Sequence, residues 1–200
     1  MWKGEAGDIA LPDNVLQYTA PDELFDYASP MKNSPGPLFA VRIPQEDDAV
    51  KLKNAIVLER VQDPGNVGTV IRTAAAFEIG AVILTGDCAD LYNPKTVRAT
   101  MGAIFRERVI RKPTGELAAF LKKQGLPLYG AALSDEAADM RSLDVSGAAV
   151  AIGNEGKGLS RELLEICAKE LIIPMNADSE SLNAAVAASV IMWEMARNNI

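Results

Sequence analysis

The sequence predicts an α/β protein whose parallel sheet is covered by helices on both faces, and three observations predict it. The candidate strands are near-continuous apolar runs rather than alternating ones, as expected of strands buried on both sides. Helical patterns separate the runs, as crossovers between parallel strands require. Proline, glycine and capping side chains stand at the joins.

Taken in order, residues 1–45 hold Pro12, Pro21, Pro30, Pro35, Pro37 and Pro44, which predicts an irregular, peripheral segment. The first strand follows at residues 55–58, then a helix over 67–77 and a strand at 81–84. Asn93-Pro94 places a capping side chain before a proline suited to the first helical position, and Thr114 with Glu116 opens a helix that Gly125 closes. Strands are expected at 128–132, 148–152 and 171–173, with helices over 159–168 and 181–198. The last helix is too apolar for a single buried stripe: Leu182, Val186, Val190, Ile191, Trp193 and Met195 lie on most sides of it. Either it is central to the core or a second subunit covers its outer face.

With 200 residues, 48% hydrophobic and 24% charged, the chain reads as an ordinary globular domain, 46–200, preceded by a small segment, 1–45. Two distant cysteines, Cys88 and Cys167, form no metal-type pair and fit a reducing compartment. No apolar run approaches the ~20 residues that cross a bilayer, and the N-terminus lacks the apolar core of a signal peptide, so a cytoplasmic protein is expected. There are no histidines, which excludes imidazole acid–base chemistry, Ser-His-Asp triads and His-ligated metals. No metal site is expected. The formal charge of −7 argues against coating nucleic acid by bulk attraction. Residues 95–112, however, carry six basic residues against Glu107 alone, a local +5. Such a stripe, which includes Arg98, Arg106, Arg108 and Arg111, suits a localised polyanion contact, though a solvated face would look the same.

Three strand-to-loop junctions carry the chemistry. The first runs Asp63-Pro64-Gly65-Asn66 into a helix bearing Arg72. The second is Gly153-Asn154-Glu155-Gly156-Lys157-Gly158-Leu159-Ser160, whose glycines admit a ligand close to the backbone but match neither a dinucleotide nor a P-loop spacing. The third joins Ile173-Pro174-Met175 through a polar loop to Ser181-Leu182-Asn183, where a helix opens with free N–H donors. In open α/β sheets, ligands bind at this edge. Each junction alone also reads as a capped turn or, at the second, as a glycine-rich connector before a helix capped by Ser160.

Together, in this order, they resemble the SpoU/TrmH family of RNA ribose 2'-O-methyltransferases within the SPOUT superfamily. The first junction is similar to the family's NxGxIxRTAxAF motif, with Val70 in the apolar slot; the second resembles GxEGxGL and the third IPM…SLN. Residues 93–105 resemble the ribosomal-RNA branch more than the tRNA branch. Departures are Glu78, where Gly is usual, and Ala184-Ala185, where Val-Ser is common. The resemblance implies a Rossmann-like parallel sheet with a C-terminal trefoil knot, a homodimer, and S-adenosylmethionine bound by the knot loops. It implies catalytic roles for Arg72, Asn66, Glu155, Ser181 and Asn183, and cofactor contacts at Gly153, Ile173, Met175, Leu182 and Thr85. For an RNA substrate, the basic stripe supplies the expected contacts, Arg98, Arg106, Arg108 and Arg111. Residues 11–42 resemble the second half of a small ribosomal-protein-like RNA-binding domain whose first half has no counterpart, as in a short form or a piece of a longer reading frame. The expected activity is ribosomal-RNA 2'-O-methylation; a tRNA enzyme, a non-catalytic RNA-binding or assembly protein on the same fold, and a nucleotide-dependent oxidoreductase are the alternatives.

Overall fold

The computed structural model describes residues 1–5, 7, 9–43, 50–134, 136–176 and 181–198. They fall in two compact units, Met1–Glu46 and Asp47–Ile200. In the first, β1 (Trp2–Lys3) and β2 (Thr19–Ala20) pair in parallel ahead of α1 (Asp22–Ala28). The proline-rich segment is therefore more ordered than its composition predicts. Trp2 and Phe25 are buried, and two large aromatic side chains gather enough apolar area to order a short chain.

The second unit is built on seven strands: β3 (Ala55–Glu59), β4 (Val82–Thr85), β5 (Val109–Arg111), β6 (Leu128–Ala131), β7 (Ala138–Asp139), β8 (Ala149–Ile152) and β9 (Lys169–Ile172). They are all parallel, in the order β5-β4-β3-β8-β6-β9-β7. Ile56 lies between Val82 and Val150, and the period of two sends alternate side chains to opposite faces. Ile56, Leu58, Val82, Val150 and Ile152 belong to one apolar core, and Ala55, Val57, Ile83, Ala149 and Ala151 to another. Both faces are covered, as the uninterrupted apolar runs required.

The first core is shared with α2 (Pro64–Ala76) and α6 (Ala184–Ala196), which pack on each other; the second with α4 (Thr114–Gln124) and α5 (Arg161–Glu165). A shorter helix, α3 (Pro94–Ala99), crosses α2 so closely that a Cβ on Gly68 would lie 2.5 Å from that of Ala99. This close approach explains the glycine two residues after Asn66. Helix α2 is capped by Asp63, which accepts the Asn66 N–H, and α3 by Asn93, which accepts that of Lys95.

Helix α4 opens at Thr114 and is closed by Gly125 as expected, but it has no side-chain cap: Pro113 precedes it, and the Thr114 hydroxyl is 3.1 Å from that of Thr85. Two other expected boundaries move. Helix α5 is shorter than 159–168, because Ser160 caps its start and the Ala168 N–H is already bonded to Leu128 O of β6. Helix α6 begins after Asn183, whose carboxamide oxygen accepts the Ala185 and Val186 N–H groups, rather than at Ser181. Strands β5 and β7 are additions, too short to leave an apolar run.

Glu78 follows α2 at φ 52, where Ile79 N–H closes onto Ala74 O. This left-handed position strains any residue with a Cβ, which accounts for the usual glycine. Glu78→Gly should therefore stabilise the fold by about 1 kcal/mol, less the entropy that glycine adds to the unfolded chain. An unchanged or lowered Tm in a thermal melt would contradict it.

Candidate active site

The three junctions converge at the carboxyl edge of the sheet through a chain of side-chain amides. Asn183 Oδ1 is committed to capping α6, so its Nδ2 faces Asn66 Oδ1, to which it donates at 3.1 Å. With its oxygen so engaged, Asn66 donates through Nδ2 to Glu155 Oε1 at 2.8 Å. A carboxylate only accepts, so each amide in the relay has one consistent orientation. Asn154 holds the near end of the second loop, donating to Arg60 O at 2.9 Å and, more weakly, to Glu155 Oε2 at 3.4 Å. Three residues from three separate motifs thus form one network.

Beside it lies a cavity of about 530 Å³, opening among the carboxyl ends of β6, β8 and β9 and the start of α6. Gly153, Ile173, Met175 and Leu182 line it, as do Glu155 and Ser181. At Gly153 the second loop folds back on itself: a Cβ there would come within 2.1 Å of the Gly158 carbonyl carbon, and Asn154 and Gly158 exchange backbone hydrogen bonds. The sequence motifs did not mark Ala131, Ala132 and Leu133 as part of the lining, although they end a strand at the same edge.

Thr85 is not brought to this cavity. It is buried at the end of β4, which β3 separates from β8, and its hydroxyl engages Thr114 instead. Arg72 stands exposed on α2 and makes no hydrogen bond or ion pair with a described residue. A buried carboxylate, Glu59, also lies outside the motifs. It is 2% exposed and ends an otherwise wholly apolar strand, the one signal that marks it.

The basic stripe is less uniform than its composition. Arg98 and Arg106 are exposed, Arg108 is half-buried, and Arg111 lies 3.5 Å from Asp90 Oδ1. Lys112 Nζ sits 5.3 Å from the Phe120 ring centroid. Within the stripe, burial pushes the Glu107 carboxyl up to about 7, against the opposing pull of Arg108, and its Oε1 is buried with no hydrogen-bond partner. A folded-state value above the ordinary 4.5 favours the protonated form, so its contribution to stability is full below pH ~4.5 and lost as pH rises through about 7. Melts of wild type and Glu107→Gln at pH 5 and pH 8 should show the variant gaining on wild type at the higher pH. Equal differences at both would refute the linkage.

Burial raises both thiols, Cys88 above its ordinary value and Cys167 to about 11, so neither supplies a thiolate at neutral pH. Among the described residues, no three His, Cys, Asp or Glu side chains gather as a metal site would need, and no helix is long and apolar enough to cross a membrane.

Residues 53–193 match the SpoU rRNA Methylase family. The chain belongs to that family. It is 35% identical over 162 residues to the 23S rRNA (guanosine(2553)-2'-O)-methyltransferase RlmP of Bacillus subtilis, covering 81% of this chain and 65% of that enzyme. A TrmH-family protein from Porphyromonas gingivalis superposes on this SpoU chain with a TM-score of 0.85 at 33% identity, over 98% of this chain and 82% of that one. An AdoMet-bound rRNA methyltransferase from Sinorhizobium meliloti does so with 0.70 at 34%, over 78% and 59%. The chain thus spans about two thirds of the length of RlmP and less of the Sinorhizobium enzyme.

Proposed function

We propose that the chain is an S-adenosylmethionine-dependent RNA ribose 2'-O-methyltransferase acting on ribosomal RNA in the cytoplasm. The observation that carries the reading is the Asn183–Asn66–Glu155 relay beside a cavity of cofactor size. The cavity's chemistry fits that cofactor: Ile152, Leu159, Ile173 and Leu182 offer apolar cover for a nucleobase, and the turned-back loop at Gly153 exposes main chain for its polar edge. Gly153, Ile173, Met175 and Leu182 would hold it; Thr85, outside the cavity, drops from the set.

When bound, S-adenosylmethionine supplies a methyl group already activated on a sulfonium. The chain's own task is then to orient a ribose and manage one proton. A guanidinium offers donors and no acceptor, so Arg72 is not the group that removes it. Its guanidinium instead holds the target phosphate and stabilises the oxyanion as the 2'-hydroxyl proton leaves for solvent. Asn66 positions the ribose, Asn183 fixes the Asn66 amide, and Glu155 and Ser181 brace the loops.

Two further parts of the reading rest on the same family: the loops after β8 and β9 belong to a trefoil knot, and residues 11–42 to an RNA-binding segment. The local excess of positive charge carries another, an RNA contact at Arg98, Arg106, Arg108 and Arg111. The protein is a homodimer through α6, where Val186, Val190 and Trp193 remain 37–51% exposed, a larger apolar face than one helix of a monomer usually shows. Light scattering at micromolar concentration should return about twice 21.4 kDa, and a monomer would remove the shared interface.

Calorimetry with S-adenosylmethionine and with NAD, followed by mapping of ribose methylation on ribosomal RNA and tRNA incubated with protein and cofactor, tests the function. Cofactor binding with a new mark on ribosomal RNA is expected. A mark on tRNA would redirect the substrate, binding without any mark would favour the non-catalytic assembly protein, and NAD binding would overturn the reading.

A further inference from the structure

Two consecutive residues at the carboxyl end of β3 grip the second loop at both its ends. At the near end, Arg60 O accepts Asn154 Nδ2 at 2.9 Å. At the far end, Glu59 accepts twice from Ser160, 101 residues away: the Ser160 N–H at 2.7 Å on Oε2 and its hydroxyl at 2.5 Å on Oε1. That hydroxyl in turn accepts the Leu163 N–H and so caps α5. The Arg60 guanidinium lies 3.4 Å from Glu59 Oε2, and Arg60 itself takes the left-handed conformation, φ 54, that turns its carbonyl toward Asn154. Everything between the two grips, from Asn154 to Leu159, lines the cavity.

A buried carboxylate persists only where its lone pairs are met, and here the two closest donors, the Ser160 N–H and hydroxyl, belong to the loop, with the neighbouring Arg60 guanidinium a longer third. We infer that Glu59 is a positioning residue that sets S-adenosylmethionine affinity by fixing the far end of the Gly153–Ser160 loop through Ser160. The inference rests on the proposed cofactor. Cofactor affinity and turnover separate here, because the near end, with Glu155 on Asn66, keeps its own tie through Asn154 when the far end is released.

Glu59→Gln offers one acceptor where two donors call for two, leaving a Ser160 donor unpaired in a buried place. It should raise the KM for S-adenosylmethionine roughly ten- to a hundred-fold, with kcat at saturating cofactor and the KM for RNA within about twofold of wild type. Ser160→Ala should show a smaller rise of the same kind, and Ser160→Thr, which restores the hydroxyl, should return to wild type. A merely structural role would not split KM from kcat, and rescue by threonine ties the effect to the hydroxyl. An unchanged KM for S-adenosylmethionine in Glu59→Gln, or a fall in all constants together, overturns the inference; if that variant does not fold, the alanine and threonine pair decides it by the same criterion. Hydrogen exchange on the ligand-free proteins tests the clamp apart from the function: the Gly158 amide, bonded to Asn154 O at 2.9 Å, should exchange faster in Ser160→Ala than in wild type or Ser160→Thr. Equal exchange in all three overturns the clamp, whereas a wild-type protein that fails to bind S-adenosylmethionine overturns the cofactor reading.

Discussion

Arg72→Ala should lower kcat by about 10²- to 10³-fold, the usual effect of losing one preorganised donor to a developing oxyanion, with cofactor affinity unchanged. The reasons are local. Arg72 is exposed on α2, engages no described residue and is absent from the cavity lining, so its removal leaves fold and cofactor pocket as they were. What disappears is a planar cation placed one and a half helical turns beyond Asn66, on the helix that also carries that residue into the relay. Arg72→Lys keeps the charge but not the two-pronged geometry, and should recover only part of the rate. Single-turnover methyl transfer measured beside calorimetry separates the effects. Equal loss of binding and turnover in Arg72→Ala would place the residue on the cofactor side and sink its assignment to the RNA.

What the sequence made legible was what is local. Strands β3, β4 and β8 are read at once because nothing polar interrupts them before their carboxyl ends, and Asn93 and Ser160 are read as caps because a cap acts on N–H groups two or three residues away. Strands β5 and β7 were invisible because edge strands of two or three residues need no apolar run. Thr114 was legible as the residue that opens α4, but its hydroxyl's partner, Thr85 on another element, was not, because no local rule supplies it. In the site, Asn66, Glu155 and Asn183 stood in separate motifs whose common edge follows from parallel topology, so their convergence was expected before any distance was known. The Glu59–Ser160 pair was not, since a carboxylate at a strand's end discloses its burial but not a partner 101 residues later. Thr85 shows the converse: strand order, which periodicity does not reveal, puts β3 between it and the cavity.

Leu182→Asp should reduce S-adenosylmethionine affinity by more than a hundredfold while leaving the fold and RNA affinity intact. Leu182 lines the cavity, immediately before the residue that caps α6. Aspartate at that place is no burden to the helix, because a negative charge at a helix N-terminus is favourable by roughly 0.3–1 kcal/mol. The cost falls on the ligand. A nucleobase seated against the new side chain would strip water from a carboxylate without offering it a partner, a penalty of about 2–7 kcal/mol even for an unpaired neutral group. Attraction between the carboxylate and a cationic cofactor would act against this, so Leu182→Ala provides the reference: it removes apolar cover alone and should cost about tenfold, at ~25 cal/mol for each Å² of nucleobase surface it leaves in water. The aspartate must fall well below that mark if burial outweighs charge. Leu182 is also 38% exposed, just ahead of the helix that carries the exposed Val186 and Val190, so a competing role at the dimer interface makes a distinct prediction. If Leu182→Asp yields a monomer that binds the cofactor as tightly as wild type, the residue belongs to that interface and the cavity needs another apolar wall.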